Sequence, residues 1–193
     1  MMMLIISGFV EGYDLGVATI GNLYIQDRYF VSLAPLGAAL GALVAGPFVD
    51  RWGRRPVVFA SDVLYVLGGA FITMFKLHYG LIYLGRFVVG LAIGVTSMVV
   101  PIYITEVVPN ELRGRFVAWY TFMVVLGQFT ANVVSLLMTD KLVMIYWVGG
   151  IFVAIQMAGL IFLVPESPRW LAKKSKEDEA EKILEKIYKP EYV

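Results

Sequence analysis

The chain has 193 residues, of which 59% are hydrophobic and only 16% are charged, and its mean hydropathy is +0.75. Soluble domains are about half apolar, so this composition favours a membrane protein. The net charge of +1 argues against a nucleic-acid partner, and the lack of cysteine excludes a disulfide framework and thiolate metal sites. With a single histidine as well, we expect neither a metal ion nor another cofactor.

Six segments of the sequence are apolar for about 20 residues, the length that a helix needs to cross a bilayer. Helix is the expected conformation because backbone amides in lipid must form their hydrogen bonds internally. The first segment has no basic n-region and contains two acidic residues, so it indicates a span at the very start of the chain rather than a signal peptide. We therefore predict an all-α polytopic membrane protein with six transmembrane helices, at Met1–Leu23, Phe30–Val49, Val57–Phe75, Leu81–Thr105, Phe116–Met138 and Val143–Val164.

Basic residues are distributed unequally between the two sets of turns. Most of them lie in the turns at 50–55 and 109–115 and in the tail after Val164. The opposite turns hold only three, Arg28, Lys76 and Lys141. Since positively charged turns stay in the cytoplasm, we expect both termini there, in a multi-pass protein of the plasma membrane or an internal membrane.

The tail differs in composition from the six spans. We expect residues 1–164 to form one helical bundle and residues 165–193 to begin a central cytoplasmic helical segment. Glutamates and lysines in the tail recur at helical spacing beside Ile183 and Ile187, which predicts a short amphipathic surface helix. The start of a solvated linker would explain the same residues, so both interpretations stay open.

Among the charged side chains inside the predicted spans, where charge is costly and usually functional, three stand out. Arg86 in the fourth span needs an acidic partner, and Asp14 in the first span is the obvious candidate. Burial favours the neutral form of this carboxyl, whereas a nearby guanidinium favours its charged form. Protonation of Asp14 would leave Arg86 without its partner, which is a physical basis for proton coupling. A static ion pair that only fixes helix packing is the alternative.

The third charged residue, Glu11, lies one helical turn from Asp14. Two carboxylates at this spacing are costly to ionise together, so one of them would keep a proton. The alternative is that Glu11 faces a wet cavity and titrates normally.

Polar side chains share one face of the fifth span. In lipid these groups need hydrogen-bond partners, either on neighbouring helices or on a polyhydroxylated ligand in a cavity. Trp119 and Tyr120, at the end of the same span, are expected in an interfacial aromatic belt. The polar residues are Thr121, Gln128, Asn132, Ser135 and Thr139.

A series of motifs runs in order along the whole chain. The motifs are Gly12-Tyr13-Asp14, Asp50-Arg51-Trp52-Gly53-Arg54-Arg55, Gly85-Arg86 with Gly90 and Gly94, Pro101-Ile102-Tyr103-Ile104-Thr105-Glu106, Arg113-Gly114-Arg115 and Pro165-Glu166-Ser167-Pro168-Arg169-Trp170-Leu171. On these motifs the chain resembles the sugar porter branch of the major facilitator superfamily, and it is nearest to proton-coupled myo-inositol and hexose transporters. Gln128-Phe129 after Gly127, and Ile155-Gln156, are similar to the myo-inositol subgroup.

This resemblance implies roles for individual residues. Asp14 matches the acid of the family's proton symporters, and Arg86 matches its arginine partner. Substrate hydroxyls would be bound by Glu11, Thr121, Gln128 and Asn132. A cytoplasmic charge network that joins two halves in the outward-facing state is implied for Asp50, Arg51, Arg55, Glu106, Arg113, Glu166 and Arg169.

The chain also departs from the family pattern. Glu11 replaces an aromatic residue of the sugar cavity, and Thr121 stands where many hexose transporters have a sugar-binding glutamine. The first extracellular loop, around Gln26–Tyr29, is short. These departures weaken the case for the usual hexose specificity.

Length is the largest departure, because family members have about twelve spans in two pseudo-repeats. We expect the N-terminal half of a transporter that moves a sugar or cyclic polyol, with protons, across the lipid bilayer by alternating access. The missing six-helix half would be in the same longer chain or in a second subunit. A half-transporter that dimerises and a sugar-sensing receptor without flux are the alternatives. An enzyme is not expected, because no nucleophile–base pair or metal cluster is visible.

Overall fold

The structure is a computed structural model that describes residues 2–25, 28–74, 79–138 and 142–187. Within these ranges every regular element is a helix. The elements are α1 (Met2–Ile25), α2 (Arg28–Trp52), α3 (Arg54–Thr73), α4 (Tyr79–Val107), α5 (Arg113–Leu137), α6 (Leu142–Phe162), α7 (Pro168–Lys173) and α8 (Glu177–Ile187).

The six long helices account for the predicted spans. In the described part of the chain, α2 to α6 are each long and apolar enough to cross a membrane. α1 is 24 residues long and packs in the same bundle. The prediction of an all-α membrane protein with six transmembrane helices is therefore confirmed. The tail forms the predicted surface helix, α8, whose first turn is acidic.

The exterior of the bundle is apolar, as lipid requires. Leu43, Leu136, Leu137 and Phe162 expose between 76% and 81% of their surface. Inside, two groups of buried side chains form the core: one surrounds Tyr103 at one end of the bundle, and the other lies between α1, α3, α4, α5 and α6. A bundle that exposes many large apolar side chains on its exterior is suited to a hydrocarbon environment.

The helices pack closely in pairs. α1 lies against α5, and both α2 and α3 lie against α4. Glycines four residues apart allow this approach: a Cβ at Gly90 would lie 2.2 Å from the carbonyl oxygen of Ala34, and one at Gly94 would lie 2.0 Å from that of Ala38. The backbones of α2 and α4 are therefore in direct contact.

The pairing of α1 with α5 follows the same principle. A Cβ at Gly12 would lie 1.8 Å from the carbonyl oxygen of Val124, and one at Gly127 would lie 2.1 Å from that of Phe9. Gly12 precedes Asp14 by two residues, so this contact sets the position of the acidic side chain relative to α5.

Candidate functional site

Asp14 on α1 and Arg86 on α4 meet inside the bundle. Nη1 of Arg86 lies 3.2 Å from Oδ2 of Asp14, and the two residues are 0% and 1% exposed, respectively. Nη2 of Arg86 donates a hydrogen bond to the hydroxyl of Tyr146 on α6. The guanidinium also lies over the ring of Phe30, 4.4 Å from its centroid. The structure thus brings the two predicted residues together as a buried ion pair contacted by α2 and α6.

Aromatic residues hold α1 and α6 together beside this ion pair. The hydroxyl of Tyr13 donates to the carbonyl oxygen of Ile145 at 2.9 Å. The rings of Phe9 and Phe152 lie with their centroids 4.6 Å apart. Burying two charges is costly unless their geometry is well supported, and these contacts supply part of that support.

Glu11 contacts a different helix from Asp14. Its Oε2 accepts a hydrogen bond from the hydroxyl of Tyr120 on α5. Tyr120 is 7% exposed, so its assignment to an interfacial belt is wrong. The physical reason is that Tyr120 lies on the face of α5 that packs against α1, where the carboxyl offers an acceptor for its hydroxyl. Trp119, its neighbour, is on the exposed side.

The polar residues of α5 divide between two environments. Thr121, Gln128 and Asn132 are exposed, whereas Ser135 is buried. The Thr121 hydroxyl donates to Val117 O at 3.1 Å, and the Asn132 amide donates to Gln128 O at 2.8 Å, so both bonds remain within α5. Thr139 lies outside the described residues. Of the two alternatives for this face, hydrogen bonds to neighbouring helices are therefore not formed by Thr121 and Asn132 within the described residues.

The carboxylate of Glu166, which precedes α7, lies at the N-terminus of α3, although the two are 112 residues apart in the sequence. Its Oε1 accepts from the backbone N–H of Arg54 at 2.9 Å and of Ser167 at 2.9 Å, and its Oε2 accepts from that of Arg55 at 3.2 Å. The first N–H groups of a helix have no partner within the helix and carry partial positive charge. A carboxylate at this position satisfies them.

Arg54 completes an interhelical charge cluster, which we define as Arg54, Arg55, Glu106, Glu166 and Ser167. Nε of Arg54 lies 2.7 Å from Oε2 of Glu106, and the Ser167 hydroxyl donates to the same oxygen at 2.7 Å. The Arg55 guanidinium instead donates to Ile161 O at the end of α6, at 2.6 Å. Sequence reasoning named Arg55 and missed Arg54, because consecutive residues of a helix point in different directions and the sequence does not say which one faces Glu106.

The other residues predicted for the charge network lie outside this cluster. Asp50 pairs with Lys173 at 3.5 Å on the exposed surface. The Arg113 side chain donates to Val108 O at 3.2 Å. Arg51 and Arg169 are exposed, and the described part of the chain gives them no hydrogen bond or ion pair. The structure thus brings together three of the seven predicted residues, Arg55, Glu106 and Glu166.

Sequence reasoning also missed a charged residue inside a span. Asp62 on α3 is 3% exposed, and its Oδ1 accepts a hydrogen bond from the Gln156 amide on α6 at 2.9 Å. The signal was present, since Asp62 falls within the predicted span Val57–Phe75 and a carboxyl within a span is expensive.

The family model described as "Sugar (and other) transporter" matches residues 1–193. The chain belongs to this family. Probable inositol transporter 2 of Arabidopsis thaliana is 38% identical over 202 residues, which cover 97% of this chain and 35% of the relative. The proton myo-inositol cotransporter of Homo sapiens is 36% identical over 195 residues, with 94% and 30% coverage.

A solved structure of a transporter has the same fold as this sugar-transporter chain. It is the proton:xylose symporter XylE, from E. coli, bound to 6-bromo-6-deoxy-D-glucose, with a TM-score of 0.87 and 25% sequence identity. The match covers 96% of this chain and 48% of XylE. The chain thus forms one half of a major facilitator fold and spans about a third of the length of these curated relatives. Relatives and structural neighbours alike are transporters and not enzymes.

Proposed function

We propose that this chain is the N-terminal half of a proton-coupled transporter for a sugar or cyclic polyol. The observation that carries the proposal is the buried ion pair between Asp14 and Arg86. The names of two similar proteins, a proton myo-inositol cotransporter and a proton:xylose symporter, support it. The partner of this half is a second six-helix bundle, with the substrate between the two at the membrane midplane.

The ion pair supplies the coupling. A proton on Asp14 removes the negative charge that balances Arg86, and a buried charge that loses its partner is strongly destabilised. Arg86 then keeps its contacts with the Tyr146 hydroxyl and with the rings of Phe30 and Tyr146. The attraction between α1 and α4 weakens, so protonation favours a different arrangement of the helices.

The substrate meets the exposed polar face of α5. Thr121, Gln128 and Asn132 lie on this face, and amide and hydroxyl groups are suited to a polyhydroxylated ligand. Glu11, bonded to Tyr120, adds an acidic acceptor on the adjacent helix. The second bundle closes the site from the other side.

Transport by the complete two-bundle transporter in liposomes tests the proton coupling. Asp14→Asn keeps the size of the side chain and removes its proton site. We expect it to abolish substrate accumulation driven by a proton gradient while substrate exchange without a gradient continues. Glu111→Gln is the matched control, because it makes the same chemical change at an exposed position. If Asp14→Asn accumulated substrate as the unmodified protein does, the proposal would be wrong.

A further inference from the structure

Asp62 is a second buried carboxyl, and its surroundings differ from those of Asp14. Gln156 occupies one oxygen, Oδ1, through its amide N–H. Within the described residues, Oδ2 of Asp62, Oε1 of Gln156 and Oγ of Ser7 are buried and have no hydrogen-bond partner. Two of these three atoms are acceptors that need a donor. Buried acceptors without a donor are rare in folded proteins, so this group calls for an explanation.

These three residues line one small cavity between α1, α3, α4 and α6. Its volume is about 10 Å³, which is room for a single water molecule. Ser61 and Thr96 form the neighbouring wall, and their hydroxyls already bond to each other at 2.9 Å. The unpartnered oxygens therefore share a space too small for a sugar and large enough for a water molecule.

Among the described residues that line it, the cavity has acidic groups and no basic one. Glu11 from α1 and Tyr65 from α3 are the other titratable side chains in its lining. The lining residues from α4 are Ala92, Ile93 and Thr96, and α6 supplies Gln156, so neither helix adds a charge. Asp14 has Arg86 as its counter-charge, whereas the partner that the described residues give Asp62 is a neutral amide. An isolated carboxylate in a low-dielectric interior is neutralised rather than left charged.

We propose that Asp62 is a second proton-binding site, which holds a proton on Oδ2 at neutral pH. The O–H then donates into the cavity toward the Gln156 carbonyl oxygen or a water, while Oδ1 keeps its bond from the Gln156 amide. Occupation of this site is independent of Asp14; only its use in coupled transport rests on the proposed function.

Infrared spectroscopy of the purified chain in lipid nanodiscs tests the site directly. A protonated carboxyl has a C=O band that a carboxylate lacks. We expect such a band at pH 7 to shift when aspartate is labelled with ¹³C, which separates Asp62 from Glu11. The band should be lost in Asp62→Asn and retained in Asp14→Asn and in Glu111→Gln. A band that Asp62→Asn leaves unchanged would overturn the proposal, whatever the outcome of the transport assay.

The same spectra distinguish a proton from a metal cation. A carboxyl C=O band of equal intensity in Na⁺ and K⁺ buffers supports a proton site. A band that is present in K⁺ buffer but lost in Na⁺ buffer overturns the proposal in favour of a sodium site. Gln156→Met provides a second variant if Asp62→Asn does not fold. It removes a hydrogen bond from Oδ1, so the band should shift in frequency without loss. A band that does not move in Gln156→Met would contradict the assignment.

Discussion

Arg54 on α3 and Glu106 on α4 form an ion pair whose side chains are 10% and 6% exposed, with Nε 2.7 Å from Oε2. Ser167, just before α7, donates to the same carboxylate. Three segments distant in the sequence therefore meet at one acidic group. Removing either member of a buried pair leaves the other charge without compensation, which is more costly than losing an exposed pair.

A double-mutant cycle on Arg54 and Glu106 should reveal a large coupling free energy between the two side chains. We expect Arg54→Met or Glu106→Gln alone to lower the free energy of unfolding by about 3 kcal/mol, and the double variant to cost less than the sum of the two. Asp50 and Lys173 form the matched exposed pair, and Asp50→Asn with Lys173→Met should show no measurable coupling. The four single and two double variants are compared by denaturant unfolding in detergent. Equal coupling free energies in the buried and the exposed pair would refute the prediction.

Gly53 occupies a position that no other residue fits without strain. Its φ is +98°, and a Cβ there would lie 2.6 Å from Oε2 of Glu166. We expect Gly53→Ala to lower the free energy of unfolding by about 1–3 kcal/mol, because it combines an unfavourable backbone conformation with a clash. Gly69→Ala, inside α3 with open space around it, should instead stabilise by about 0.5–1 kcal/mol. Thermal unfolding that moves in the same direction for both variants would contradict this account.

We expect the hydroxyl of Tyr146 to stabilise the buried Arg86 more than its aromatic ring does. Tyr146→Phe keeps the ring, whose centroid lies 5.2 Å from the guanidinium, and removes the acceptor of the Nη2 hydrogen bond. An unpaired buried donor costs about 1–3 kcal/mol, and we expect a loss of stability of that size. Trp147→Phe, at the exposed neighbouring position, should change stability by less than about 0.5 kcal/mol. Equal effects of the two variants would show that the hydroxyl contributes nothing.

Substitution of Gln128 distinguishes a role of its side chain in substrate binding from a role in helix packing. Its side chain is exposed, so Gln128→Ala should change the free energy of unfolding of this chain by less than about 0.5 kcal/mol. If it binds substrate hydroxyls, the same change should raise the KM for polyol transport by the complete transporter about tenfold, as loss of about 1.4 kcal/mol of binding would. Ser135→Ala, on the buried face of α5, is the comparison for packing. A fall in stability with an unchanged KM would reverse the assignment.

Asp14 and Arg86 could be paired from sequence because each is a charge that lipid cannot accommodate alone. The same rule covers Asp62, which the sequence reasoning missed, but it does not predict the partner, since Gln156 is uncharged and lies 94 positions away. Its amide becomes visible as a partner only once α3 and α6 are placed side by side.

The sequence also did not show which side chains of a helix face a neighbouring helix. The spacing of Thr121, Gln128 and Asn132 gave them one face of α5, and the structure exposes all three. The same spacing could not reveal that Tyr120 faces α1 and that Ser135 is buried, because this depends on which helices pack against α5. The glycine contacts that position α1 decide it.

Glu166 and Arg54 are separated by 112 residues, which has a consequence for biosynthesis. Ribosomes add about 5–20 residues per second, so the turn at Gly53 is made roughly ten seconds before the carboxylate that will satisfy its N–H groups. A nascent chain that ends at Phe162 already contains α1 to α6 and still lacks this acid. Insertion of these six helices and completion of the α2–α3 turn are therefore separate events, and the turn is finished only after α6 has been synthesised.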